Sequence, residues 1–284
     1  MATEMEMEME MEMSMEMAMG SAASASSDLG YRPITLQFPL GPGAPPAFPP
    51  DIMPVNDWTW KEDSWDPDLE SNLTAIEFMG TSWQNISFAG YLNWDPQTNP
   101  AGYQAFVNGE IQYLQNLMQT ERERYLAEIL AQQNGAPRYW QSLLGITRRA
   151  KPASYRVIRS AARIGEMAVV YYKEQFRRPR PSTVCPGLFP PFGPPGHPSF
   201  PSGHSTQSWL ITLLLNYVAP DYQVQLNWLA ERVAVNRERA GLHYPSDTLG
   251  GQHLANEVFQ LLGNSLPANS RFRTMLDDAR QEWP

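Results

Sequence analysis

The chain has 284 residues, 42% of them hydrophobic and 18% charged, with a net charge of -9 and an isoelectric point near 5.0. That apolar content is enough for a real core, in one large domain or two small ones. The acidic balance excludes nucleic acid as the main partner, because phosphate-backbone binding needs a basic surface, so any anion site has to be a local basic cluster. The lone Cys185 has no internal disulfide partner and reads as a small apolar packing group.

Residues 1–19 alternate Met with Glu before drifting into Ser and Ala, and they hold six glutamates, no basic residue and nine of the 14 methionines. A secretory signal needs a basic start and an apolar stretch, so none is recognisable here, and the expected location is cytoplasmic or otherwise soluble. Like charges along one face of such a segment predict a disordered tail. Residues 32–55 are rich in proline and predict an extended arm. Residues 1–65 therefore read as a low-complexity Met/Glu tail plus a Pro-rich arm, and 66–284 as a single helical domain.

Helical patterning starts near Asp66 and runs to Phe78. Between 100 and 134, Tyr103, Phe106, Ile111, Leu114, Leu117, Tyr125, Leu126, Ile129 and Leu130 recur at threes and fours, which predicts helix up to Asn134-Gly135. Another helix is expected over 153–177, stopped by Pro179 and Pro181. Seven prolines between 186 and 201 predict a loop over 181–201, and a long ordered loop in a compact domain is usually functional. Three helices follow, near 204–218, 222–240 and 246–263, then a frayed polar tail to Pro284. No apolar run approaches the ~20 residues a membrane span needs; Trp209 to Leu215 has the length of a buried core helix, so no transmembrane segment is expected. No strand alternation or internal repeat is visible. The expected class is an all-α bundle.

The candidate chemistry lies in three segments. Lys173-Glu174-Gln175-Phe176-Arg177-Arg178-Pro179-Arg180-Pro181 supplies cations. Gly196-His197-Pro198-Ser199-Phe200-Pro201-Ser202-Gly203-His204-Ser205 brings a hydroxyl, backbone N–H groups and an imidazole to the start of a helix, which is how an oxyanion is held. Asn236-Arg237-Glu238-Arg239-Ala240-Gly241-Leu242-His243-Tyr244-Pro245-Ser246-Asp247 carries a third cation and a second histidine. If the segments meet, Lys173, Arg180, Arg237, Ser202 and Gly203 form a cradle for a tetrahedral dianion. Arginine grips two oxygens with its planar fork, and lysine adds a point charge. His243 and Asp247 stand four apart with Pro245 favouring a first helical turn, so Asp247 can hold one ring nitrogen and leave the other as nucleophile or ligand. No Cys/His cluster or His-Glu-x-x-His pair suggests a cation site.

These segments resemble the motifs of the type 2 phosphatidic acid phosphatase and vanadium haloperoxidase superfamily. Six residues separate Lys173 from Arg180-Pro181; Pro201-Ser202-Gly203-His204 follows, then Arg237, His243 and Asp247 in the family's order. Two Arg-Pro steps are present, and family spacing selects Arg180 over Arg178. Asn236 stands where the family usually has serine, and is expected to take over a backbone-bonding role. The resemblance covers 173–247 and implies an all-α bundle of the acid phosphatase and vanadium haloperoxidase type, in the soluble branch.

What the resemblance implies is a metal-independent phosphoric monoester hydrolase. His243 is the nucleophile that forms a phosphohistidine, His204 the general acid and base, Asp247 the partner of His243, and Lys173, Arg180, Ser202, Gly203 and Arg237 the phosphate cradle. The substrate is a small-molecule phosphate ester and no cofactor is required. The alternative is a vanadium-dependent haloperoxidase that oxidises bromide with peroxide, vanadate being held at His243; His197, seven residues before His204, sits where that branch places a residue beside the vanadate. A purely anion-binding protein is the third reading, and it has no use for a proton donor at His204. Oligomerisation is possible in each.

Overall fold

A computed structural model of the protein describes residues 65–284. The expectations for the Met/Glu tail and the Pro-rich arm lie outside the described residues. Within them the fold is all-α, without strands. In chain order the helices of eight residues or more are α1 (Pro67–Met79), α2 (Tyr103–Thr120), α3 (Arg122–Gly135), α4 (Pro137–Leu144), α5 (Pro152–Phe176), α6 (Gly203–Val218), α7 (Gln223–Arg239), α8 (Pro245–Asn264) and α9 (Arg271–Gln281), and a single helical turn, Pro181–Val184, interrupts the stretch expected to be loop.

Local chemistry sets the boundaries. Proline stands in the first helical turn of α1, α4, α5 and α8, where its missing N–H costs nothing. Asp66 caps α1 by accepting from the amides of Asp68 and Leu69 at 2.9 and 3.4 Å. Gly145 closes α4 in the left-handed region at φ 62°. Arg177 closes α5 at φ 47°, immediately before Arg178-Pro179.

α6 is the hub of the fold. It packs against α5, α7 and α8, and α5 also packs against α1 and α9. Leu210, Ile211, Leu214 and Leu215 of α6 are all buried, each such side chain being worth about 1.5–3 kcal/mol of apolar transfer. Around them lie Ile158, Ala161, Ile164 and Ala168 of α5, Leu226, Ala230 and Val233 of α7, and Leu254, Ala255 and Val258 of α8.

Three expectations are corrected. The helix expected over 100–134 is two, because the chain breaks at Glu121; the side chain of the next residue, Arg122, donates to the carbonyls of Arg239, Leu188 and Phe189 at 2.6, 2.7 and 2.8 Å and draws the backbone aside. The expected frayed tail contains α9, which gathers Phe272, Met275, Leu276 and Ala279 on one buried stripe despite its polar composition. α4 is a helix that the sequence reading did not separate, because Pro137 resembles a terminator; Trp140 buries its ring and donates from its indole to Thr212 of α6 at 2.8 Å.

Two end contacts tie distant helices together. The carboxylate of Glu77 on α1 accepts from the amides of Arg271 and Phe272, capping α9. Glu282 accepts from the amides of Ala153 and Ser154 at 2.7 and 2.9 Å, capping α5. The loop before α6 lies tightly on α8 because α8 has no side chains there. A β-carbon at Gly250 would come within 2.4 Å of the Phe200 ring, and one at Gly251 within 2.6 Å of the Ser202 carbonyl oxygen.

Candidate active site

The three motif segments converge on one cavity of about 270 Å³. α5 contributes Lys173, the following loop Arg180 and His197, the start of α6 Gly203 and His204, the end of α7 Arg237, and the α7–α8 connection His243. Val169, Val170, Phe192 and Leu242 give it an apolar wall.

Each cation is held by backbone carbonyls on its protein side. Lys173 donates from Nζ to the carbonyls of Pro198 and Ser199 at 2.6 and 2.8 Å. Arg180 donates to the carbonyls of His197 and Leu242 at 3.1 and 2.9 Å, and Arg237 to that of Ile129 at 2.7 Å. The Nε of Arg237 is buried with no protein partner. Carbonyl ligation fixes the positions of the cations without neutralising them.

The two imidazoles have defined tautomers. The Nδ1 of His243 lies 3.1 Å from Oδ2 of Asp247 and donates to it, since the carboxylate can only accept. Its Nε2 lies 3.3 Å from Nη1 of Arg180, which can only donate, so Nε2 carries the lone pair. His204 donates from Nε2 to the carbonyl of Gln132 at 3.0 Å, which leaves Nδ1 as its exchangeable nitrogen. The Nδ1 of His197 faces one donor and one acceptor, lying 3.1 Å from Nη2 of Arg180 and 3.2 Å from the Pro198 carbonyl oxygen.

Crowding of positive charge marks the whole site. Burial, then Arg180, holds the Lys173 ammonium well below the usual lysine range, against the pull of Asp247. Burial and then Arg180 bring Arg237 down to about 10. Burial and the neighbouring cations lower His197 and His204 to about 3, with Lys173 leading for His197 and Arg237 for His204. Burial followed by Arg180 lowers His243 too, opposed by Asp247. Asp247 is held below the usual carboxylate range by Arg178 and His243, against burial. A dianion among these groups relieves each cation's penalty at once.

The structure brings together Lys173, Arg180, His197, Gly203, His204, Arg237 and His243, and sets Asp247 behind His243. Gly203 is the first residue of α6, so its amide is one of the N–H groups a helix start leaves unpaired. Ser202, expected to offer its hydroxyl to the anion, does not line the cavity. It is fully buried, and its Oγ accepts from the amide of Ser205 as the cap of α6. Asn236 departs from the expected backbone-bonding role: it donates to side-chain oxygens of Glu128 and Gln132 on α3. His253 lies outside the site, stacked on Tyr91 and bonded to the Ser87 carbonyl.

Sequence reasoning missed α3, whose backbone seats both His204 and Arg237, since carbonyl oxygens leave no sequence signal. It missed Glu166, a carboxylate lining the cavity one turn from Val169, with its acidity weakened by burial and paired to Arg163 at 3.0 Å. Arg178, passed over in favour of Arg180, is buried behind Asp247. Among the described residues no group of three or more His, Cys, Asp or Glu side chains could hold a metal ion.

The model of the PAP2 superfamily matches residues 158–261, the span from α5 through α8 that carries every one of these cavity groups except the α3 contributions. Over that span the chain is similar to the PAP2 superfamily. No curated protein matches it. Among solved structures, a transmembrane PAP2 type phosphatidylglycerolphosphate phosphatase from Bacillus subtilis is similar, with 21% identity and a TM-score of 0.32 over 73% of this chain and 97% of that one. The expectation of a cytoplasmic or otherwise soluble protein is withdrawn, the solved structure just named being that of a transmembrane protein. Among the described residues no helix is long and apolar enough to cross a membrane.

Proposed function

We propose that the chain hydrolyses small-molecule phosphoric monoesters without a metal, through a phosphohistidine at His243. The match to the PAP2 superfamily supports phosphatase-type hydrolysis, and the observation that carries the reading is the Nε2 lone pair of His243, directed by Asp247 and Arg180 at the foot of a cavity lined by Lys173, Arg180 and Arg237. In this reading residues 66–284 act as one catalytic domain around the motif core 173–247.

The substrate dianion sits against Lys173, Arg180, Arg237 and the Gly203 amide. Nε2 of His243 attacks phosphorus in line, forming the N–P bond as the ester P–O bond breaks, and Asp247 balances the charge that develops on the ring. The leaving oxygen takes a proton from Nδ1 of His204. That proton is supplied by the complex: His204 is neutral beside Arg237, but a dianion about 4 Å away at an effective dielectric of about 20 contributes about 4 kcal/mol per unit charge towards its protonated form. In the second step His204 takes a proton from water, the water oxygen bonds phosphorus, and the N–P bond breaks to release phosphate.

Labelled phosphomonoester, quenched in alkali during turnover, should leave label on His243 that is stable to base and labile to acid. Label on serine, or activity that survives His243→Ala, overturns the reading. A second reading, bromide oxidation by peroxide, draws on His197, which lines the cavity beside Arg180. The same cradle with His243 Nε2 fits vanadate, which would supply peroxide activation there. Robust bromide oxidation by vanadate-loaded protein, with negligible ester cleavage in its absence, would favour that reading.

A further inference from the structure

Asp247 is held on both of its oxygens. Oδ2 accepts from His243 Nδ1, from the Tyr244 amide at 3.0 Å and from the Ser199 hydroxyl. Oδ1 accepts from Nη1 of Arg178 at 2.7 Å, and the same nitrogen reaches the Ser246 hydroxyl at 2.7 Å. The guanidinium of Arg178 is buried between the rings of Tyr244 and Trp94, at 3.7 and 4.6 Å from their centroids, and its Nη2 donates to Glu110 of α2 at 2.7 Å. Glu110 turns its other oxygen to the amide of Ser246 at 2.8 Å, in the first turn of α8.

Glu110 lies outside the stretch matched by the PAP2 model, and Arg178 lines no part of the cavity. Both are nevertheless fully committed to the residue that orients the nucleophile. A guanidinium clamped by two carboxylates and two aromatic faces has one position, so the carboxylate it grips is held against rotation. Rotation matters because Asp247 fixes which ring nitrogen of His243 carries the proton.

We infer that Arg178, braced by Glu110, is a positioning residue that locks the Asp247 carboxylate and thereby keeps His243 in the tautomer with its lone pair at Nε2. The inference rests on the reading of His243 as nucleophile, but its structural half is measurable without turnover. Neither residue touches the substrate, so the effect falls on kcat rather than on KM.

The experiment compares wild type with Arg178→Lys and with the double variant Arg178→Met/Glu110→Gln, the second change in the double variant removing the buried carboxylate that Arg178→Met alone would strand. Folding is checked by circular dichroism. Hydrolysis of p-nitrophenyl phosphate should lose about 10–100-fold in kcat, as for outer partners of ligating histidines, with KM within about threefold. Arg178→Lys should fall between, keeping charge but losing the fork. Nitrogen NMR of 15N-histidine-labelled protein should show His243 protonated at Nδ1 in wild type and a mixture of tautomers in the double variant. A folded double variant with wild-type kcat and a wild-type tautomer overturns the inference, as does a loss confined to KM. If wild type cleaves no monoester the proposed function fails, while the tautomer measurement still decides the role of Arg178.

Discussion

Replacing Asp247 by asparagine keeps the shape of the side chain and removes its charge, which isolates what the carboxylate does for His243. Four donors converge on it, from His243, Tyr244, Ser199 and Arg178. The amide's least costly orientation keeps its oxygen towards the three donors at Oδ2 and turns its NH₂ to Arg178, so one donor pair is left facing each other. That mismatch costs about 1–3 kcal/mol of stability, and Arg178 retains Glu110 as a partner, so the variant should fold. The tautomer of His243 survives in this orientation, and the loss in rate comes from charge. As Nε2 bonds to phosphorus the ring becomes cationic, and a carboxylate charge about 4 Å away at an effective dielectric of about 20 stabilises it by about 4 kcal/mol. Its removal should lower kcat about 10³-fold. Steady-state hydrolysis of p-nitrophenyl phosphate, beside a thermal melt, measures both effects. A folded Asp247→Asn protein with kcat within about tenfold of wild type would refute the charge argument.

His204→Ala should slow esters of poor leaving groups by up to about 10²–10⁴-fold and those of acidic phenols least, which a leaving-group series reads directly; equal losses throughout would remove His204 from proton transfer. Glu238 is buried, and burial, aided by Asp247 and Glu110, raises its pKa from 4.5 to about 7. A raised carboxyl favours folding in its protonated form, so stability is fully present below about 4.5 and falls as pH rises through about 7, by about 3 kcal/mol. Glu238→Gln should flatten that fall in melting curves taken between pH 4.5 and 8, and an unchanged slope would rule Glu238 out as its source. Gly250→Ala should cost about 1–3 kcal/mol through contact with Phe200 and lower the melting temperature, whereas an unaltered melt would mean that the ring moves freely.

The helices from α5 to α8 were legible because Pro, Gly and apolar spacing mark their ends, and the cavity was legible because its groups sit at fixed intervals on those helices. What escaped the sequence is what distance along the chain conceals. Glu110 meets Arg178 across 68 residues and the Ser246 amide across 136, and nothing in the α2 pattern separates it from an ordinary helix-face glutamate. Ser202 was misplaced for a different reason: one serine before a helix serves equally as an anion donor and as a cap, and only its burial decides. α9 was hidden by composition, since four apolar positions among eleven residues carry a helix when they share a face.

The cap that Glu282 places on α5 also orders events in time. α5 carries Lys173, yet the carboxylate that closes its first turn is synthesised 129 residues after Ala153. At about 5–20 residues per second, a ribosome adds that stretch in roughly 6–26 s. Throughout that interval the start of α5 has neither this carboxylate nor the indole of Trp283, which later donates to Ser154. The start of α5 therefore gains its carboxylate cap only once the residues after α9 have been made.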